Sequence, residues 1–70
     1  FINTQNHLTI NFYDQDLYHI ELFDVIGKKI IHQHSNYLKN NIPLDNFNSG
    51  IYTIRITKKN LVYTEKILIN

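Results

Sequence analysis

Apolar and polar residues alternate along much of the chain with a period of two, the spacing of a strand with one buried face. Leu8, Ile10 and Phe12 interleave with Thr9, Asn11 and Tyr13 and predict a first strand. Asp14-Gln15-Asp16 is a short polar break. Ile20 and Leu22 alternate with His19 and Glu21 and predict a second strand from Leu17 to Phe23. Gly27 then supplies a turn, because glycine reaches positive φ without steric cost. Lys29 to His34 forms a third strand, although the adjacent pair Ile30-Ile31 interrupts its alternation. The polar stretch from Ser35 to Asn41 reads as loop. Ile42 to Leu44 reads as a short edge strand, since Pro43 has no N–H to give to a ladder.

Asn46 to Gly50 has turn composition. Beyond it, Tyr52, Ile54 and Ile56 take one face of a strand and Thr53, Arg55 and Thr57 the other. Lys58-Lys59-Asn60 connects this strand to a last one over Leu61 to Ile69, a hairpin pattern. No segment has the 3.6-residue spacing of an amphipathic helix. Closely spaced short strands with turns between them predict one all-β domain, a sandwich or small barrel.

Composition agrees with the pattern. The 70 residues include twelve Ile, ten Asn and no Ala, the strongest helix former. There is no Cys, so neither a disulfide framework nor a thiolate metal site is available. The net charge is +1, and the pairs Lys28-Lys29 and Lys58-Lys59 read as solvated turn charges. A nucleic-acid partner would call for a basic stripe, and the pattern has none. The longest apolar runs fall far short of the roughly 20 residues of a membrane helix, so membrane insertion is not expected. The opening at Phe1 predicts a piece cut from the end of a longer secreted protein.

The candidate chemistry is sparse. His32 and His34, two apart on a strand, share a face and could chelate zinc if His19 or Glu21 came near. Two of the usual four ligands do not make a site, and no metal or other cofactor is expected. Asp14, Asp16, Asp24 and Asp45 sit in turn positions, where Asp is favoured for backbone reasons. The spacing of Asp14 and Asp16 is not that of a calcium loop. Ser49 precedes Gly50 in a turn, and the two glycines are too far apart for a phosphate loop. No catalytic residue is expected. Tyr13, Tyr18, Tyr37, Tyr63 and Phe47 could build a sugar-stacking platform, while Tyr52, in phase with Ile54 and Ile56, belongs to the core.

Three ordered segments resemble the type A C-terminal sorting domain of the type IX secretion system. In IELFDVIGKKI (20–30), Phe23, Asp24, Gly27 and Lys28 fill the family's aromatic-Asp and Gly-Lys places. In IPLDNFNSGIYTIRI (42–56), Ile42, Leu44, Phe47, Gly50, Ile51 and Tyr52 match an apolar entry followed by Gly-Ile-Tyr. In the terminal EKILIN, Lys66 and Ile67 match a lysine followed by apolar residues. One departure is that many members begin with Pro-Asn-Pro, whereas Phe1 to Asn6 holds no proline.

The resemblance implies an immunoglobulin-like antiparallel β-sandwich that acts as an address label on an N-terminal cargo domain. It implies passage through the periplasm to the medium or cell surface, recognition by the type IX machinery, and a surface sortase-like peptidase as a second partner. The motif residues Gly27, Lys28, Gly50, Ile51, Tyr52, Lys66 and Ile67 become the recognition candidates, with the terminal stretch from Lys66 to Asn70 as the main read surface. The Lys66 face, shared with Val62 and Leu68, is expected to be half-buried. The rival readings are an accessory extracellular sandwich binding carbohydrate or a surface partner, and a structural spacer.

Overall fold

The alternation read from the sequence becomes burial in the structure, a computed structural model that describes residues 2–3, 7–45 and 47–69. Among the described residues seven strands form: β1 (Ile2–Asn3), β2 (His7–Asn11), β3 (Tyr18–Phe23), β4 (Lys29–Ser35), β5 (Lys39–Pro43), β6 (Gly50–Lys58) and β7 (Leu61–Ile69). There is no helix among the described residues. The strands make two antiparallel sheets, one in the order β1-β2-β5 and one in the order β4-β3-β6-β7. This is the expected all-β sandwich of immunoglobulin-like type.

Each sheet turns its apolar face to the other. Leu8 and Ile10 of β2, Ile42 of β5 and Leu44 just beyond it supply one side of the core. Tyr18, Ile20 and Leu22 of β3, Tyr52, Ile54 and Ile56 of β6, and Ile67 and Ile69 of β7 supply the other. Leu8, Ile20, Leu22, Ile54 and Ile69 are fully buried, each contributing about 1.5–3 kcal/mol through removal from water. Two tyrosines close the ends of this core with their hydroxyls satisfied. Tyr18 donates to the carbonyl of Asp14 at 2.8 Å and stacks on Phe12, ring centroids 3.6 Å apart. Tyr52 donates to the carbonyl of Asn48 at 2.7 Å and packs beside Phe47.

The break in alternation at Ile30-Ile31 has a structural cause. Leu22 pairs with Ile31 and Phe23 with Lys29, so Ile30 is the extra residue of a β-bulge. The bulge lets both isoleucines pack against the core. The preceding turn is organised by Asp24, whose Oδ1 accepts from the amides of Ile26 at 3.1 Å and Lys28 at 2.8 Å. Gly27 occupies the turn at φ +90°, in the left-handed region that a side chain makes costly.

Three expectations are corrected. The stretch from Ser35 to Asn41 is not all loop, because β4 runs through Ser35 and β5 begins at Lys39. Polar hydrogen bonds take the place of apolar burial there. The Ser35 hydroxyl donates to Asn40 Oδ1, Asn40 Nδ2 donates to the Tyr37 carbonyl at 3.0 Å, and the Tyr37 amide donates to Ser35 Oγ at 3.1 Å. Asn40 is thereby buried without an unsatisfied group, and β5 takes the edge place that Pro43 requires. The hairpin between β6 and β7 is tighter than three residues. Lys58 pairs with Leu61, leaving Lys59 and Asn60 as the loop, with Lys59 at φ +53°. Finally, the Lys66 face is open: Val62, Lys66 and Leu68 are all exposed. β7 is the outermost strand of its sheet, and only Ile67 and Ile69 of its nine residues are buried. Within the expected turn from Asn46 to Gly50, Asn46 lies outside the described residues, and the Phe47 amide donates to the Leu44 carbonyl at 3.1 Å. Residues 1 and 4–6, the place of the proline-containing element, also lie outside them.

Candidate functional site

Antiparallel pairing brings the sequence motifs together at one end of the four-stranded sheet. The end of β3, the start of β6 and the end of β7 lie side by side: Phe23 pairs with Thr53, and Thr53 with Lys66. Phe23 also pairs with Lys29 at the start of β4. Residues from four separate stretches thus make one row, Lys29–Phe23–Thr53–Lys66, on the face turned away from the core. Ile51 and Leu68 pair in the adjoining part of β6 and β7, both about half exposed. The Asp24–Lys28 turn emerges at the same end.

Beside this row lies a charged network. Glu21 accepts from Arg55 Nε at 2.9 Å through one oxygen and meets Lys29 Nζ at 2.7 Å through the other. Those two cationic side chains cover the carboxylate, leaving Glu21 buried on the outer face of the sheet. The hydrogen bonds from Arg55 and then Lys29 outweigh the cost of desolvation and hold the Glu21 carboxyl at a pKa of about 2, below its ordinary 4.5. Arg55 and Lys29 also flank the Phe23 ring, at 5.0 and 5.9 Å from its centroid. The network fixes the side chains on which the motif-bearing end rests.

The recognition candidates divide by position. Tyr52 and Ile67 pair with each other and are buried, so they build the core. Gly27 shapes the turn, and Gly50, at φ +157°, opens β6 with the Tyr52 ring 4.0 Å from where a Cβ would stand. Lys28, Ile51 and Lys66 are exposed and can touch another molecule. Leu68, within the terminal stretch expected to be read, joins them, and the strand register sets it opposite Ile51. Sequence reasoning missed the Glu21–Arg55–Lys29 cluster, because its members come from three strands.

The other candidate constellations fall elsewhere. His32 and His34 share the outer face of β4, and His19 of β3 pairs with His34. The five rings of the sugar-platform reading are divided. Tyr13, Tyr18 and Tyr63 line an apolar groove of about 390 Å³ at the opposite end of the molecule, together with Leu61 and Val62. Phe47 packs on Tyr52, and Tyr37 stands exposed in the β4–β5 connection.

A family model described as "Secretion system C-terminal sorting domain" matches residues 4–70. No curated protein matches the chain.

Proposed function

The chain belongs to the secretion system C-terminal sorting domain family, and we propose that the secretion machinery reads the motif-bearing end of its larger sheet together with the outer side of β7. Domains of this family are the C-terminal sorting signal of type IX secretion cargo. The chain is accordingly a targeting module for export across the outer membrane to the cell surface or medium.

The observation that supports the proposed surface is the convergence of motifs distant in sequence. Lys28, Ile51 and Lys66 come to one end of one sheet, and buried or turn-forming motif residues hold that end in shape. β7 adds a second feature. It is a nine-residue edge strand with exposed Leu61, Val62, Tyr63 and Leu68, and edge strands are templates for pairing with another chain. In this reading Gly27, Gly50, Tyr52 and Ile67 preserve the surface, whereas Lys28, Ile51, Lys66 and Leu68 touch the partner. The type IX machinery is that partner. The family resemblance supplies a surface sortase-like peptidase as the second, acting after export. The label performs no catalysis.

Deleting residues 66–70 would also remove Ile67 and Ile69 from the core. Surface substitutions perturb recognition alone. The double variant Lys66→Glu/Leu68→Asp, behind a fluorescent cargo with an inner-membrane signal peptide, should melt near wild type and stay in the periplasm. Lys39→Glu, on the edge of the other sheet, should be exported normally. Wild-type export of the double variant would remove β7 from the recognised surface.

A further inference from the structure

The third ligand that two-residue spacing could not supply is brought in by the register of β3 on β4. His32 and His34 project from the outer face of β4, and His19 stands directly across from His34. The imidazole centroids are 4.2 Å apart for His19 and His34, 5.2 Å for His32 and His34, and 6.2 Å for His19 and His32. One ring nitrogen from each residue lies within 4.8 Å of the others. We propose that His19, His32 and His34 form a binding site for one divalent transition-metal ion of the zinc, nickel and copper group.

The geometry requires a small closure. Zinc–nitrogen bonds of 2.0–2.1 Å in a tetrahedron put ligand nitrogens roughly 3.3 Å apart. The imidazoles therefore converge by about 1.5 Å, which rotation about the broad Cβ–ring torsions can supply. The backbone need not move, because paired strands already fix the three Cα positions. The charged cluster beside the site, Glu21 with Lys29 and Arg55, sums to one positive charge, so the imidazoles themselves supply the affinity. Lys29 and Arg55, the basic groups on this side of the sheet nearest to His32, are both engaged with Glu21. Glu21 pairs with His32 across the strands, its carboxylate taken up by those two cations. Thr57, which pairs with His19 on the other side of β3, is uncharged.

The donor set selects the metal. Neutral imidazole suits zinc, copper and nickel, whereas magnesium and calcium call for oxygen cages that this cluster does not offer. His32 and His34 are exposed, so the ion enters from solvent and keeps at least one position for water. Its bonds would cross-link β3 to β4 and stabilise the folded state in proportion to occupancy.

The test is titration of the metal-free 70-residue chain with zinc chloride, followed by calorimetry and thermal melting. The expected result is one zinc per chain, a rise in Tm of about 10 °C or more at a zinc concentration about 100-fold above Kd, and no response to magnesium. His19→Gln should weaken zinc binding more than about 10-fold while its metal-free melting stays near wild type. His34→Gln is the second variant, with the same expectation, should the first fail to fold. His7→Gln, on the other sheet, should bind as wild type. No heat and no Tm rise at about 1 mM zinc would overturn the proposal. So would binding undiminished in both ligand variants, or one zinc held between two chains by sedimentation.

Discussion

Glu21→Gln removes a carboxylate that binds two cations at once while keeping nearly the same shape. In the native chain its oxygens lie 2.9 Å from Arg55 Nε and 2.7 Å from Lys29 Nζ. The carboxyl is held at a pKa of about 2 against an ordinary 4.5, a depression equivalent to about 3 kcal/mol. Both partners keep over 40% of their side-chain surface in water, and that screening reduces the expected loss in the variant to about 1–2 kcal/mol at pH 7. A depressed carboxylate contributes stability that is fully present above pH 4.5 and disappears as pH falls through about 2. Urea unfolding of both proteins from pH 7 to pH 2 reads this directly. The wild type should lose stability between pH 4.5 and 2, and the variant should start lower and fall less steeply. The two curves should approach each other near pH 2. Parallel curves with a constant offset over that whole range would refute the charge-pair account of Glu21.

Three further outcomes follow from the core, the turn and the hairpin. Tyr52→Ala should cost about 3–5 kcal/mol in thermal or urea unfolding, while Tyr52→Phe, which loses only the bond to Asn48, should cost about 1 kcal/mol. Gly27→Ala should destabilise by about 1–2 kcal/mol, although no atom lies within 4 Å of the added Cβ, because the cost is conformational. Lys59→Gly should stabilise by about 1 kcal/mol by relieving the left-handed backbone, less whatever its 3.5 Å contact with Asp16 contributes; a differential melting curve checks both substitutions.

The strands with one buried face were the most legible part of the fold. β6 and β3 announced themselves because a two-residue period of Tyr, Ile and Leu has one physical explanation, a half-buried strand. β5 was legible only at its end, Ile42 and Pro43; its start was not, since the buried Asn40 is held by side-chain hydrogen bonds to Ser35 and Tyr37 that a hydropathy pattern does not register. The Ile30-Ile31 irregularity was visible, but its meaning as a bulge depends on the partner strand. β7 was located correctly and its exposure was not. Val62 and Leu68 look like core residues, but the register sets them with Lys66 on the outer face of the sheet, out of phase with the buried Ile67 and Ile69. The site follows the same rule. Each motif was readable by itself, whereas the row from Lys29 to Lys66 and the three-histidine cluster exist only through cross-strand register.

The central claim is that this chain is sufficient as an export label. The direct measurement fuses Phe1 to Asn70 behind a fluorescent protein carrying an inner-membrane signal peptide, in a host with an intact type IX system. The account predicts fluorescence in the medium or on the cell surface, lost when the secretion pore is deleted. Fluorescence retained in the periplasm, with the fused domain shown to be folded, would contradict it.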